Sequence, residues 1–273
     1  MPEDVELLPS FDRPPLGEVA LLAQFEQLPA LRNADYLRLW NQSEYKHLYP
    51  TIGEYLELPP FREDFDASKE PQPDRNQRLY GEFRPIARYN FRSNDRCEQI
   101  QIQRDRIGFY WQKGNDSYPR FQAVLEKFKR DYLIFQDFFK DRKWAVIPNQ
   151  CAISYSNPIH KGEGWETPKD IQNVFTFWKN ESSRALLPGM ILEDFVGAQI
   201  FTVSDAGRRV ARLHVTATIR EPDEIVFDLI FRGPPHSPTL DGVVDFFKMG
   251  RKHIVTTFEA LTTKKMHEMW GKR

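Results

Sequence analysis

The plainest pattern in the chain is an alternation of polar and apolar residues in two runs between Glu98 and Gln112. Gln99, Gln101 and Gln103 alternate with Ile100 and Ile102, and after Arg104-Asp105 the residues Ile107, Phe109 and Trp111 take every second place. A period of two is the signature of a strand with one face buried. Ser93-Asn94-Asp95 and Arg104-Asp105 carry turn-forming residues. With a strand over Ile86 to Phe91, the pattern predicts a three-stranded meander. The period then changes. Phe121, Val124, Leu125, Phe128, Tyr132, Phe135 and Phe139 recur every three or four places, which predicts one long amphipathic helix starting after Pro119.

The same order recurs downstream. Val146 to Asn157 reads as a strand, and Thr167-Pro168-Lys169-Asp170 has the composition of a helix start, with proline at the first helical position. Strands are expected over about 191–203, 208–220 and 224–232, joined by Asp205-Ala206-Gly207 and Glu221-Pro222-Asp223. A last helix is expected from Pro238-Thr239 to about Trp270. Upstream, Glu18 to Leu28 reads as the first strand, and Asn33 to Leu48 as a helix carrying Leu37, Trp40 and Leu48. Residues 50–85, rich in proline and charge, read as a long surface loop.

The fold class implied is α+β. A single domain is expected from two pseudo-repeats, 14–145 and 146–273, each a strand, a short helix, a three-stranded antiparallel meander and a long helix. No sequence identity relates the halves. Helices backing one face of an antiparallel sheet leave its other face polar. Ala211, Leu213, Val215, Ala217 and Ile219 would face the helices, and Arg212, His214, Thr216, Thr218 and Arg220 would face away.

Composition narrows the function classes. The chain has 273 residues with a formal net charge of −1, so no global basic field attracts nucleic acid or an anionic membrane. Its 21 Phe, 10 Tyr and 6 Trp can build a large core. Two widely separated cysteines, Cys97 and Cys151, form no disulfide framework and no metal-ligand spacing. The acidic start Met1-Pro2-Glu3-Asp4 lacks the apolar stretch of a secretory signal, and no apolar run approaches the ~18 residues of a membrane span. A cytoplasmic protein is expected, with no membrane partner.

Catalytic and cofactor motifs are missing from the sequence. Gly108, Gly162, Gly164 and Gly197 form no phosphate-cradling loop, His267-Glu268 has no second histidine, and Ser154 lacks flanking glycines. No cofactor, metal site or catalytic residue is assigned. One fragment, Asp35 followed by Glu44-Tyr45-Lys46, has the order of a metal-dependent nuclease core. Such a core needs its E-x-K on a strand, and here the segment reads as helix. A nuclease with a dispersed site is therefore the last of three alternatives.

Binding is the better expectation. Gln101, Gln103, Arg212, His214 and Arg220 fall on the polar sheet face and offer hydrogen bonds to a polar partner. Arg120, in Tyr118-Pro119-Arg120 at a helix start, could meet an anion. A further pattern spans nearly the whole chain. It comprises Pro14-Pro15-Leu16 with Glu18, Gln24-Phe25, Tyr49-Pro50, the stretch QIQIQRDRIGFYW, Tyr118-Pro119-Arg120-Phe121, Tyr155, Asn157 and Ile159, and His253, Phe258, Thr262, Trp270 and Gly271. In these segments the chain resembles a sporadically distributed, functionally uncharacterised family of prokaryotic proteins of about this length. The resemblance carries over no catalytic residue. Its patchy distribution implies an accessory role in a bacterial multi-component system, of the antiviral defence or toxin–antitoxin kind. The expected function is a non-enzymatic binding or adaptor protein with a protein partner; the alternative is a nucleic-acid-binding module using the same sheet face.

Overall fold

The alternating segments pair into one sheet. The computed structural model of the chain describes residues 8–28, 31–63, 65, 87–114, 118–140, 145–178, 192–220 and 223–273. Among these are nine strands: β1 (Glu18–Phe25), β2 (Thr51–Leu56), β3 (Ala87–Arg92), β4 (Glu98–Gln103), β5 (Arg106–Gln112), β6 (Pro148–His160), β7 (Val196–Asp205), β8 (Arg208–Arg220) and β9 (Glu224–Gly233). Across the sheet they run β2-β3-β4-β5-β1-β6-β9-β8-β7. Every neighbouring pair is antiparallel. The central pair is β1 with β6, and each closes one meander: β1 pairs with β5, and β6 with β9.

The predicted meander and the strand 208–220 appear at the expected places. The strand expected from about 191 begins only at Val196, since residues 192–195 are not strand; residue 191 and residues 221–222 of the turn before β9 lie outside the described residues. The expected loop 50–85 is corrected at its beginning. Residues 51–56 form β2 on the edge of the sheet, paired to β3 from Thr51↔Arg92 to Leu56↔Ala87. Residues 64 and 66–85 of that loop lie outside the described residues, as does Ile86, the expected start of the next strand.

The helices are α1 (Asn33–Gln42), α2 (Tyr45–Leu48), α3 (Phe121–Lys140), α4 (Ile171–Val174), α5 (Leu240–Leu261) and α6 (Lys264–Met269), with a 3-10 turn at Pro168–Asp170. Two helices expected to be continuous are broken where hydroxyl side chains compete for the backbone. The first breaks at Ser43, whose Oγ accepts from Tyr45 N at 3.2 Å. The second breaks at Thr262-Thr263: Thr262 Oγ1 donates back to Phe258 O at 2.7 Å, and Thr263 caps α6 by accepting from Met266 N.

The long helices lie on one face. α3 packs over β5, and α5 over β6 and β9. They meet at Phe128 and Phe247, whose rings stand perpendicular with centroids 5.0 Å apart. Gly250 is what lets α5 come close to the sheet, because a Cβ there would sit 2.4 Å from Ile153 Cγ2 and 2.8 Å from Phe231. The buried stripe of α3 and the inward positions of the strands join one continuous apolar cluster. The sides expected for β8 agree with its burial: Leu213 and Val215 are buried, Arg212 and His214 half-buried, and Thr216 exposed.

Candidate functional site

The register arranges the polar sheet face into rows. One row runs Gln103–Arg106–Gln24–Gln150 across β4, β5, β1 and β6. The next runs Asn90–Gln101–Gly108–Leu22–Ala152–Arg232–Arg212. His214 lies one row further along, opposite Ile230. Four of the expected binding residues, Gln101, Gln103, Arg212 and His214, thus do share the face away from the helices.

That face is not open. The chain leaving β2 crosses it as a strap over residues 57–63, tied down at each row it passes. Gln103 Nε2 donates to Leu58 O, and Leu58 N returns a bond to Gln103 Oε1. Arg106 Nη2 donates to Pro59 O at 2.6 Å, and its guanidinium lies over the Phe61 ring. Gln24 makes the same two-way pairing with the Phe61 backbone, at 2.9 Å in both directions. At its far end Glu63 places one carboxylate oxygen 2.6 Å from Arg212 Nη1 and the other 2.6 Å from His214 Nε2. Burial pushes the Glu63 carboxyl up, but the hydrogen bonds and charges of His214 and Arg212 outweigh it and hold it below the usual range. The expectation of an uncovered surface is therefore corrected. Gln101 and Gln103 are buried, and Arg212 and His214 are already engaged by the chain's own carboxylate.

Proline and charge concealed the strap in the sequence. Phe61 and Phe65, two aromatic residues inside a polar loop, were its one visible signal: the first lies against Arg106 and Arg232, the second under Arg212. Its release is testable. Glu63→Gln is expected to weaken the latch, raising amide exchange over residues 57–63 and β8 while leaving α3 and α5 protected. A charge-assisted hydrogen bond contributes about 1.5–3 kcal/mol. Unchanged exchange in this variant would show that the backbone pairings of Gln24 and Gln103 hold the strap without it.

Of the two other expected residues, Arg220 is on this same face by its register but beyond these rows, and Arg120 is on the opposite face. Arg220 ends β8, largely exposed and only 3.9 Å from Glu224. Arg120 lies on the helix side of the sheet, at the mouth of a pocket beside the start of α3. Its backbone has φ +71°, a left-handed conformation rare for a side-chain-bearing residue, and its carbonyl accepts the bond from Val124 N. Phe11, Leu16, Phe121, Ile254 and Phe258 give this pocket apolar walls, while Tyr118, Tyr155, Asn157, Arg120 and Arg251 give it a polar end. Segments singled out in the sequence converge here from distant parts of the chain. Pro14, Leu16, Tyr118, Arg120, Tyr155 and Phe258 all line it, and Trp270 lines the groove adjoining it.

A third feature is the β7 edge, ten residues long and, among the described residues, paired with β8 alone. α5 stops short of it, over β6 and β9. Val196 and Ile200 are 69% and 63% exposed, and Phe201 is exposed as well although it points toward the helix side. The strand carries a single charge, Asp205, at its end.

The nuclease-like residues form no centre. Asp35 accepts from Arg32 N within the first turn of α1, whereas Lys46 donates to Asn41 and sits over Trp40. Among the described residues no three His, Cys, Asp or Glu gather as metal ligands. Cys151 is fully buried, and burial pushes its thiol far up, which makes it a poor nucleophile. No family model, curated protein or solved structure matches the chain. No helix among the described residues is long and apolar enough to cross a membrane.

Proposed function

We propose that the chain is a non-enzymatic binding protein, an adaptor in a bacterial multi-component system of defence or toxin–antitoxin type, whose partner is a protein that adds an extended segment to the β7 edge. The exposed apolar β7 edge is the observation that carries this reading. A free edge offers a row of unpaired N–H and C=O groups, and proteins ordinarily blunt such an edge with lysine, proline or a covering element. β7 has neither residue. A strand laid beside it would gain main-chain hydrogen bonds and cover Val196 and Ile200 on one side and Phe201 on the other. Arg220, beside the start of β7, stands where it could meet an acidic residue of the partner. The nucleic-acid alternative is the weaker one, because Glu63 already pairs with Arg212 and hydrogen-bonds His214, two of the residues it would use. The order of strands also supports reading the two halves as pseudo-repeats, with β1 and β6 as equivalent first strands and α3 and α5 as equivalent last helices.

The test is a photo-crosslinker placed at position 200 in the host, with position 216 as a control. A protein captured at 200 and not at 216 would then be purified and titrated. Ile200→Lys is expected to lower its affinity at least tenfold with an unchanged melting temperature. Capture of a second copy of this chain would make the edge a self-association surface. Equal capture at both positions would remove the edge as the docking site.

A further inference from the structure

The pocket beside the start of α3 has the chemistry of a built anion site. Arg120 and Arg251 both line it, and neither has a carboxylate within ion-pair distance among the described residues. Arg251 instead lies over the Phe121 ring, 5.1 Å from its centroid and close enough to the Tyr155 hydroxyl to bear on it electrostatically. Arginine fixed on an aromatic face presents its fork in a set direction, which suits a planar two-oxygen acceptor.

The tyrosines add donors. Tyr118 Oη and Tyr155 Oη lie 3.4 Å apart. Burial drives both hydroxyls above the ordinary tyrosine range, so both keep their protons at neutral pH. Their mutual contact uses one of the two O–H groups and leaves the other to donate. The Asn157 amide nitrogen is already committed to Phe227 O at 2.9 Å, which fixes that side chain as part of the wall.

Behind the polar end the pocket is apolar and small. It offers about 90 Å³, lined by Leu16, Ile254, Val255 and Phe258. It adjoins a groove of about 450 Å³ that shares Pro14, Leu16, Tyr118 and Arg120 with it and continues past Trp111 and Trp270. Strain at a residue of left-handed backbone persists only where surroundings impose it, and Arg120 is that residue, at the junction of the two spaces.

We propose that this pocket binds a small amphiphilic carboxylate, with its branched aliphatic or aromatic body among Leu16, Ile254 and Phe258 and its carboxylate between Arg120, Arg251 and the tyrosine pair. Phosphate would use the same cations without the apolar wall, and an uncharged isostere the wall without the cations.

The test is isothermal titration of the full chain with 4-methylpentanoate and 3-phenylpropanoate, beside their neutral amides and inorganic phosphate. Saturable binding of an acid is expected, with its amide and inorganic phosphate at least tenfold weaker. Arg120→Gln, at an exposed position, and Arg251→Gln should each weaken the acid at least tenfold. Val255→Trp, which fills the cavity, should abolish binding, and thermal melts confirm that each variant is folded. Equal binding of acid and amide, phosphate as tight as either acid, unchanged affinity in folded variants, or no saturable binding by either acid would each overturn the proposal.

Discussion

Phe231→Ala is expected to cost about 3–5 kcal/mol of stability, the range for truncating a fully buried phenylalanine. Phe231 lies on β9 with no exposed surface, between Ile153 of β6 and Leu213 of β8. It stacks nearly parallel on His253, at 5.3 Å and 6°, and packs against Phe246 at 5.2 Å, both on α5. It also sits where Gly250 lets that helix approach. Removing the ring opens a cavity at the contact of helix and sheet, which the paired strands on either side cannot move to fill. Thr216→Ala, on the exposed side of β8, should cost less than about 0.5 kcal/mol. Denaturant unfolding of both variants checks the pair. Equal losses would mean that the two faces of the sheet are covered alike.

Asp131→Asn is expected to make the protein more stable than the wild type at neutral pH and to flatten its pH dependence. Asp131 is buried on α3 and ties that helix to α2. Tyr49 Oη donates to its carboxylate at 2.7 Å, Arg130 Nε at 2.9 Å, and Tyr45 Oη donates to its backbone carbonyl at 2.5 Å. Burial raises its carboxyl to about 6, against the lowering effect of Arg130 and Tyr49. Between the unfolded value of about 3.9 and about 6, the folded state keeps a proton that the unfolded chain has lost. Its contribution to stability is therefore full below about pH 4 and is lost as pH rises through about 6. A shift of about two units corresponds to about 3 kcal/mol.

Asparagine stays neutral and its oxygen still accepts from Tyr49, while the Arg130 Nε bond to the other position is lost, so the variant should gain on the wild type by less than that amount between about pH 4 and 7. Glu63 has the opposite sign: its lowered carboxyl contributes above its unfolded value, and that contribution is lost as pH falls. It is common to both proteins and cancels in the difference. Stability curves that run parallel across this range would show that Asp131 is not the group that titrates.

The alternation was legible because β4, β5, β8 and β9 are strands with one side in the core, where a period of two is imposed by the pleat itself. The stripe of α3 was legible for the same reason at a period of 3.6. Helix breaks at Ser43 and Thr262 were not, since a hydroxyl competing for backbone bonds leaves the apolar stripe intact on both sides. The polar face was read correctly as a set of residues and incorrectly as a free surface. Gln24, Gln103 and Arg106 look like solvent-facing positions in any one strand, and only the return of residues 57–63 over them turns them into the inside of a second layer.

Within the chain, then, local periodicity by itself determined eight of the nine described strands, the long helices, the sides they bury and the α+β class, because each depends on residues a few places apart. Tertiary structure alone decided the rest. It placed β1 beside β6, brought Glu63 to Arg212 and His214 across about 150 positions, and gathered Leu16, Tyr118, Tyr155 and Arg251 around one pocket. Such contacts depend on how the sheet twists and how chain segments cross it. Those are sums over the whole packed core, and no window of sequence contains them.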